Sequence, residues 1–405
     1  MRGPRHFLLL RDQSGAVAVL TAVLMVTLLG FTAIAVDLGV LQYQKRMLQT
    51  VADAAAIGGA SELPYGDAAS GAQTVASQNG FISGNNSAAL TVSNPPSDGP
   101  HAIDSSCVEV IASQTEPTHF AQVLGIKSAK IQARAVACQG SGPACMYALS
   151  SSATNAILAN GTPNVQSTCG IVVDSNAGQA FLCNGSGTFN TKSIGVVGGY
   201  LSNGSCTLNP TPVTGIVPQN DPLTYLPEPT PGACVTPNPS PINGTGNFTL
   251  NQGTYCGGLT INGSPTVTLN PGTYIFTGNF IVNGTPTVTG NGVTLYFTSS
   301  GGITVNGATN FNLTAPTTGT YAGILMFQDR VDTAQATING SNTSTLQGSL
   351  YFPDAPLVFN GSSSTNAAYT IIIAQSITFN GSVTLNDNYS SLPGGSPIKT
   401  AVLVE

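Results

Sequence analysis

Tryptophan is absent, histidine occurs 3 times, and charged side chains make up only 7% of the 405 residues. An average globular protein carries about 25%. Eleven Lys+Arg against seventeen Asp+Glu cannot build the cationic track that phosphate neutralisation requires, which excludes nucleic acid as a partner. Between 241 and 405 the charged residues are Asp329, Arg330, Asp332, Asp354, Asp387, Lys399 and Glu405, and no histidine occurs there. Acid–base and metal chemistry need clustered carboxylates or imidazoles. Asp329 and Asp332 are near enough in sequence to pair, but they read better as a solvated loop. His101 and His119 lie far from any Cys-His or His-His metal spacing, no Cys pair has CxxC spacing, and the calcium nonapeptide GGxGxD is missing. The expectation is no catalytic residue, no cofactor and no metal: not an enzyme.

What replaces the charges is Gly (47 residues), Pro, Asn, Ser and Thr, with 41% hydrophobic residues. That apolar share is enough to offset ordering entropy. The polar surface must then be built from hydroxyls and amides, a composition typical of secreted and cell-surface proteins. The net charge of −6 names no partner.

Ala16 to Val36 contains no charge. As a helix it spans about 31 Å, the thickness of a bilayer hydrocarbon core. Arg2, Arg5 and Arg11 precede it, favouring a cytoplasmic N-terminus. The run exceeds a usual signal h-region of roughly 7–15 residues, although Ala33-Ile34-Ala35 has the look of a cleavage site. Its apolar residues lie all round, unlike a core helix with one stripe. Beyond it, residues 38–60 lack proline, and Leu41, Leu48 and Ala55 recur every seven residues with Val51 between them. This predicts one helix of about 45 residues, half in lipid and half outside, ending at Gly58-Gly59.

The ordered stretch Gln13-Ser14-Gly15, the apolar run, Ala35-Val36-Asp37-Leu38-Gly39, Tyr43, Lys45-Arg46 and Leu48 to Ala56 resembles the TadG-like N-terminal domain of tight-adherence (Flp) pilus-assembly systems. The resemblance covers about residues 11–60, with Gly15, Asp37, Gly39 and Asp53 at motif positions. It implies a bacterial inner-membrane anchor of a pilus-assembly or pseudopilin-like component, with pilus-assembly proteins as partners. A prepilin cut after Gly15 would leave Leu20 where glutamate usually stands, so an uncleaved anchor is expected. Read from the residues alone, Asp37 marks the lipid boundary and Asp53 is a solvated helix position.

Residues 61–143 predict a small α+β module. Ala68 to Gly80 reads as a helix, Cys107 to Ala112 and Ile131 to Cys138 as strands, and Thr118 to Leu124 as a short helix capped by Thr118. Residues 144–405 are dominated by a repeat of alternating apolar residues followed by Asn-Gly. It places Asn262, Asn283, Asn306, Asn339, Asn360 and Asn380 at spacings of 21, 23, 33, 21 and 20. Asn243 extends it, and Asn160, Asn184 and Asn203 continue it less regularly. A period near 21 with short strands predicts a solenoid. Asn-Gly suits the corners, where asparagine amides can stack along the axis. The fold class is therefore mainly β: a transmembrane and stalk helix (1–60), the α+β module (61–143), and a right-handed parallel β-helix (144–405). A sandwich of Asn-Gly hairpins is the rival. Residues 227–241, rich in proline, read as an ordered crossing loop, and the 33-residue step leaves room for an excursion near Phe327 to Arg330. This half also resembles the C-terminal part of TadG-related proteins, which supplies architecture rather than an activity.

Eight cysteines lie after the anchor and suggest disulfides in an oxidising compartment. Sequence permits about a hundred pairings. Sequential pairing fits best: Cys107–Cys138 across two strands, Cys145–Cys169 and Cys183–Cys206 each closing about one coil, Cys234–Cys256 pinning the Pro-rich loop. Several free thiols are the alternative. The function expected is a non-enzymatic, membrane-anchored component of a tight-adherence pilus system, its bulk periplasmic or surface-exposed. The alternative is a carbohydrate-binding adhesin or polysaccharide-active enzyme on the same anchor, with surface glycans as partners.

Overall fold

A computed structural model describes residues 14–142, 144–340, 344–361 and 367–405. Arg2, Arg5 and Arg11, on which the expected orientation rests, lie outside the described residues, as do Ser341 and Ser362 of two repeats. The described residues form two compact units, one running to Gly140 and including Thr400–Glu405, the other Ser141–Lys399. The stalk and the α+β module therefore share one unit. The last six residues, expected in the β-helix, belong to that unit as well.

In the first unit one helix runs unbroken from Ser14 to Glu62. It passes through Gly58-Gly59, the expected stop. A Cβ on Gly58 would sit 2.6 Å from a Val75 methyl carbon, so the glycines let a second helix, Ala68–Gln78, approach closely. The true stop is a 3₁₀ turn, Leu63–Tyr65, with proline in its first turn and Gly66 left-handed (φ 77°) behind it, a backbone that suits glycine. The second helix starts at Asp67, whose carboxylate accepts the Ser70 N–H.

The seven-residue stripe behaves as its spacing demands. Leu48, Val51, Ala52, Ala55, Ala56 and Ala60 are buried in one cluster with Val108, Val110, Ala133 and Ala135. Small residues on the helix face bring it close to an antiparallel sheet of four strands, ordered Ala89–Ser93, Cys107–Pro117, Ser128–Ser141, Lys399–Leu403. The two central strands are longer than expected, and the two outer ones carry too little apolar alternation to be read from sequence. Thr118 does not cap a helix. Only Ala121–Leu124 is helical, as a 3₁₀ turn, and the Thr118 hydroxyl closes the loop by donating to the Ile126 carbonyl.

The second unit is a β-solenoid: among the described residues its strands pair in parallel, with one isolated antiparallel bridge at Tyr369–Asp387, which excludes the hairpin sandwich. Asn262, Asn283 and their flanking residues pair in register from Leu259–Gly263 to Phe280–Gly284. On one face ten strands follow one another, but not in chain order. The succession begins at Gly253–Tyr255 and passes through Gly272–Phe276, Val293–Phe297, Ile324–Gln328, Thr345–Gly361 and Thr370–Phe379. It then jumps to Ala144–Ala148, Gly170–Val173, Ile194–Val196 and Val213–Thr214. The coils that come last in sequence thus dock on the coil that comes first. Gly142 N–H donates to the Ile398 carbonyl, so the unit's two ends meet midway along the stack. Residues 215–246, between the two runs of coils, must return from one tip to the other.

Each coil points alternate side chains inward. Val267, Val288, Phe311, Leu313, Ile261, Val282, Val305, Phe359 and Phe379 are buried in one continuous core, with rings stacked between rungs at 5.6 Å (Phe276–Phe297) and 5.8 Å (Phe359–Phe379). No coil could bury this surface alone. The four disulfides pair sequentially: Cys107–Cys138, Cys145–Cys169, Cys183–Cys206 and Cys234–Cys256. No free cysteine remains.

Candidate functional site

The anchor helix changes character at Asp37. Before it the large side chains are exposed, Leu20, Val26, Leu28 and Phe31 among them, and beyond it a buried face begins. The helix is long and apolar enough to cross a membrane, with a mean hydropathy of 2.5 over its most apolar window and none of that window buried.

Asp37 does more than mark a boundary. Its carboxylate is buried and accepts three backbone N–H groups, from His119 (2.9 Å), Phe120 (3.0 Å) and Ala121 (2.6 Å). Burial pushes its pKa up, yet the three donors outweigh that and hold it below the usual aspartate range, as hydrogen bonding to a charged form does. The residue therefore ties the hairpin tip between strands Cys107–Pro117 and Ser128–Ser141 to the helix. Asp53, by contrast, is half-buried and accepts the Gln49 amide (2.7 Å), which also donates to the Arg134 carbonyl (2.9 Å). Gly39 has nothing within 4 Å of a notional Cβ, and Gly15 lies in the helix's first turn. The motif residues are thus dispersed along the helix: Asp37 binds the hairpin tip directly, and Asp53 orients the Gln49 amide that reaches the sheet.

Elsewhere in this unit Glu109 is almost wholly buried. It accepts from Ser97 N–H (3.0 Å) and hydroxyl (2.5 Å) and pairs with Arg134, which also binds Glu405. Burial raises its pKa, but these donors and the guanidinium bring it below the usual range. His101 lies beside the sulfurs of Cys107 and Cys138. Both sulfurs are in a disulfide, so neither is available as a thiolate ligand.

In the solenoid, polar side chains gather where the returning segment crosses the coils. Arg330 donates to the carbonyls of Leu223 (2.9 Å) and Leu226 (2.8 Å), to the Tyr351 hydroxyl (3.0 Å) and to Glu228 (3.4 Å). Its guanidinium lies 5.1 Å from the Phe327 ring centre. Tyr351 in turn donates to Asp221 (2.5 Å), which also accepts the Leu223 N–H (3.0 Å). Burial raises the Asp221 pKa against the pull of Tyr351, Leu223 and Arg330. Both sides of the guanidinium are spent on the protein, so this cluster is a staple. Asp329 and Asp332 do not form the solvated loop expected. Asp332 is buried, accepting from Gln328 (2.8 Å) and Ala334 (2.9 Å), while Asp329 accepts from Val331 N–H (3.0 Å) and Tyr296 (3.4 Å). Each carboxylate shapes its own turn.

The outer corners carry ladders of amides. Asn262 donates to Asn243 (2.8 Å), Asn283 to Asn262 (3.0 Å) and Asn306 to Asn283 (2.9 Å), and Asn380 donates to Asn360 (2.8 Å). A second line runs through Asn209, Asn190 and Gln166. Among the described residues no Phe or Tyr between 144 and 399 is exposed, so the solenoid presents hydroxyls and amides rather than ring faces.

Fold and site together define a β-solenoid protein with a long N-terminal helix, apolar enough in its first half to cross a membrane and packed in its second half into a small α+β module. Residues 15–62 match the family model described as "Putative Flp pilus-assembly TadE/G-like", which coincides with the anchor and stalk and gives the resemblance of this segment a family-level footing. No curated protein and no solved structure gives a significant match to the chain.

Proposed function

We propose that this chain is a single-pass, inner-membrane component of a Flp-type pilus system, with its N-terminus cytoplasmic and its solenoid held outside the cytoplasm. The observation that carries the reading is the two-part helix within the TadE/G-like match: lipid-compatible up to Val36 and packed on its own sheet beyond Asp37. Four disulfides fit an oxidising compartment on the far side. The exposed apolar half of the helix is the surface available to the helices of other assembly proteins. The solenoid serves as a non-enzymatic structural body, because the carboxylates at its polar cluster are engaged in holding the crossing segment and its turns. A glycan-binding or glycan-cleaving role draws less support, since no described ring of the solenoid is fully exposed.

The test is crosslinking in native membranes followed by purification of the tagged full-length chain. Recovery of pilus-assembly proteins is expected, and it should disappear when residues 16–36 are exchanged for an unrelated apolar helix. Recovery of none with the native helix would refute the assignment.

A further inference from the structure

The hairpin tip that Asp37 holds is apolar, and none of the described residues of its own unit covers it. Phe120 is 47% exposed, Val123 86%, Leu124 72% and Ile126 54%. Four large apolar side chains within seven residues are unusual at a solvated loop. Their place is specific. They hang from the carboxylate that immediately follows the apolar run, three N–H groups bound to it, and the helix surface beside them, Ile34, Val36 and Leu38, is exposed and apolar too. Lys127, just before the strand that leaves the tip, and Lys130, on it, are both exposed. An apolar tip followed by lysines is the pattern of a segment lying in the lipid interface, rings and aliphatics below and ammonium groups at the headgroups.

We propose that residues 120–126 form a second membrane contact, dipping into the outer interface of the same bilayer that the helix crosses. This rests on the anchor reading above and extends it, since the lipid surface is continuous from helix to tip. One helix alone leaves a stalk free to tilt and rotate. A second contact, rigidly coupled through Asp37, fixes both motions and sets the module upright on the membrane.

The chain lacks tryptophan, so single-tryptophan variants report without background. The full-length protein is reconstituted in phosphatidylcholine–phosphatidylglycerol vesicles, with bromine-labelled lipid as quencher. Leu28→Trp, within the apolar run, tests the anchor. Val123→Trp tests the tip. Ile103→Trp, 91% exposed, is the aqueous control. It belongs to the far end of the sheet, where Gln139 reaches the Ala60 carbonyl, about 35 Å along the helix from Asp37 at 1.5 Å per residue. Expected are blue-shifted emission and loss of intensity with brominated lipid for Leu28→Trp and Val123→Trp, with Ile103→Trp quenched only by aqueous acrylamide. Quenching by lipid at 28 with water-like emission at 123 would overturn the tip contact and leave the anchor standing. Water-like emission at both would overturn both. A blue shift at 123 in native membranes but not in vesicles would mean that a protein covers the tip, and would also refute the proposal.

Discussion

Replacing Arg330 by alanine should release the returning segment from the solenoid it crosses. The guanidinium gives two charge-assisted hydrogen bonds to the carbonyls of Leu223 and Leu226, each worth about 1.5–3 kcal/mol. Its pair with Glu228, at 3.4 Å and with both side chains a quarter or more exposed, contributes close to nothing. The rings of Phe327 and Tyr351, at 5.1 and 5.5 Å, add about 1 kcal/mol. These contacts share one side chain and do not sum fully, so the expected loss is about 3–4 kcal/mol. For a unit of this size that corresponds to about 10 °C in Tm, or to local release if the segment opens before the coils do. Arg330→Lys keeps the charge without the planar fork and should fall between the two. Circular dichroism melting of the full-length chain in detergent measures the first outcome, and protease cleavage within 215–241 measures the second. An Arg330→Ala variant with the native Tm and no new cleavage would show that the staple is ornamental.

Gly284→Ala should be costly, because φ there is 101° and a Cβ would sit 2.3 Å from the Gly263 carbonyl oxygen; a loss above about 2 kcal/mol is expected, read as Tm. Asn283→Ala removes a rung that both donates and accepts and should lower stability by roughly 1 kcal/mol; an unchanged Tm would mean that water replaces the ladder without loss. Glu109 has a lowered pKa in the folded chain, so its contribution is full above about pH 4–5 and is lost as the pH falls through the lowered native value. Glu109→Gln should weaken the first unit at neutral pH by roughly 2 kcal/mol and flatten its acid limb in pH-dependent unfolding. Asp37→Ala should leave the His119, Phe120 and Ala121 amides without their acceptor, and faster hydrogen exchange at those three positions in the reconstituted protein is the readout.

Much of this architecture was readable because its signals are local or periodic. The seven-residue spacing of Leu41, Leu48 and Ala55 gave the stalk's buried face, and the Asn-Gly period gave the parallel stacking and the amide ladders. Asn160, Asn184 and Asn203 looked irregular only because the connections between their coils differ in length; in space they align in register. The order of the coils was not readable. Parallel rungs pair through the backbone, and every coil offers a similar aliphatic edge, so nothing in Thr370–Phe379 names Ala144–Ala148 as its neighbour. The same limit hid the role of Asp37, whose donors lie 82 to 84 residues away. Its only trace was a carboxylate closing an apolar run. The crossing loop was visible, but the excursion was misplaced: Phe327 and Gln328 belong to the strand Ile324–Gln328, and the extra length lies on either side of it, in 315–323 and 329–335. Nor was it visible that Tyr351 and Asp221 join loop and strand.

The displaced order of the coils has a consequence for how the molecule is made. Coils 144–209 leave the ribosome first, carrying two of the four disulfides, and they form a short seed with one side uncovered. The following coils do not lengthen that seed. They begin at the opposite tip and build toward it, so the last rung synthesised is the one that closes the joint. Truncation from the C-terminus would therefore remove the keystone rather than the tip, leaving two stacks linked only by the returning segment. Docking of the Thr370–Phe379 rung on Ala144–Ala148 becomes the event that makes the solenoid one body.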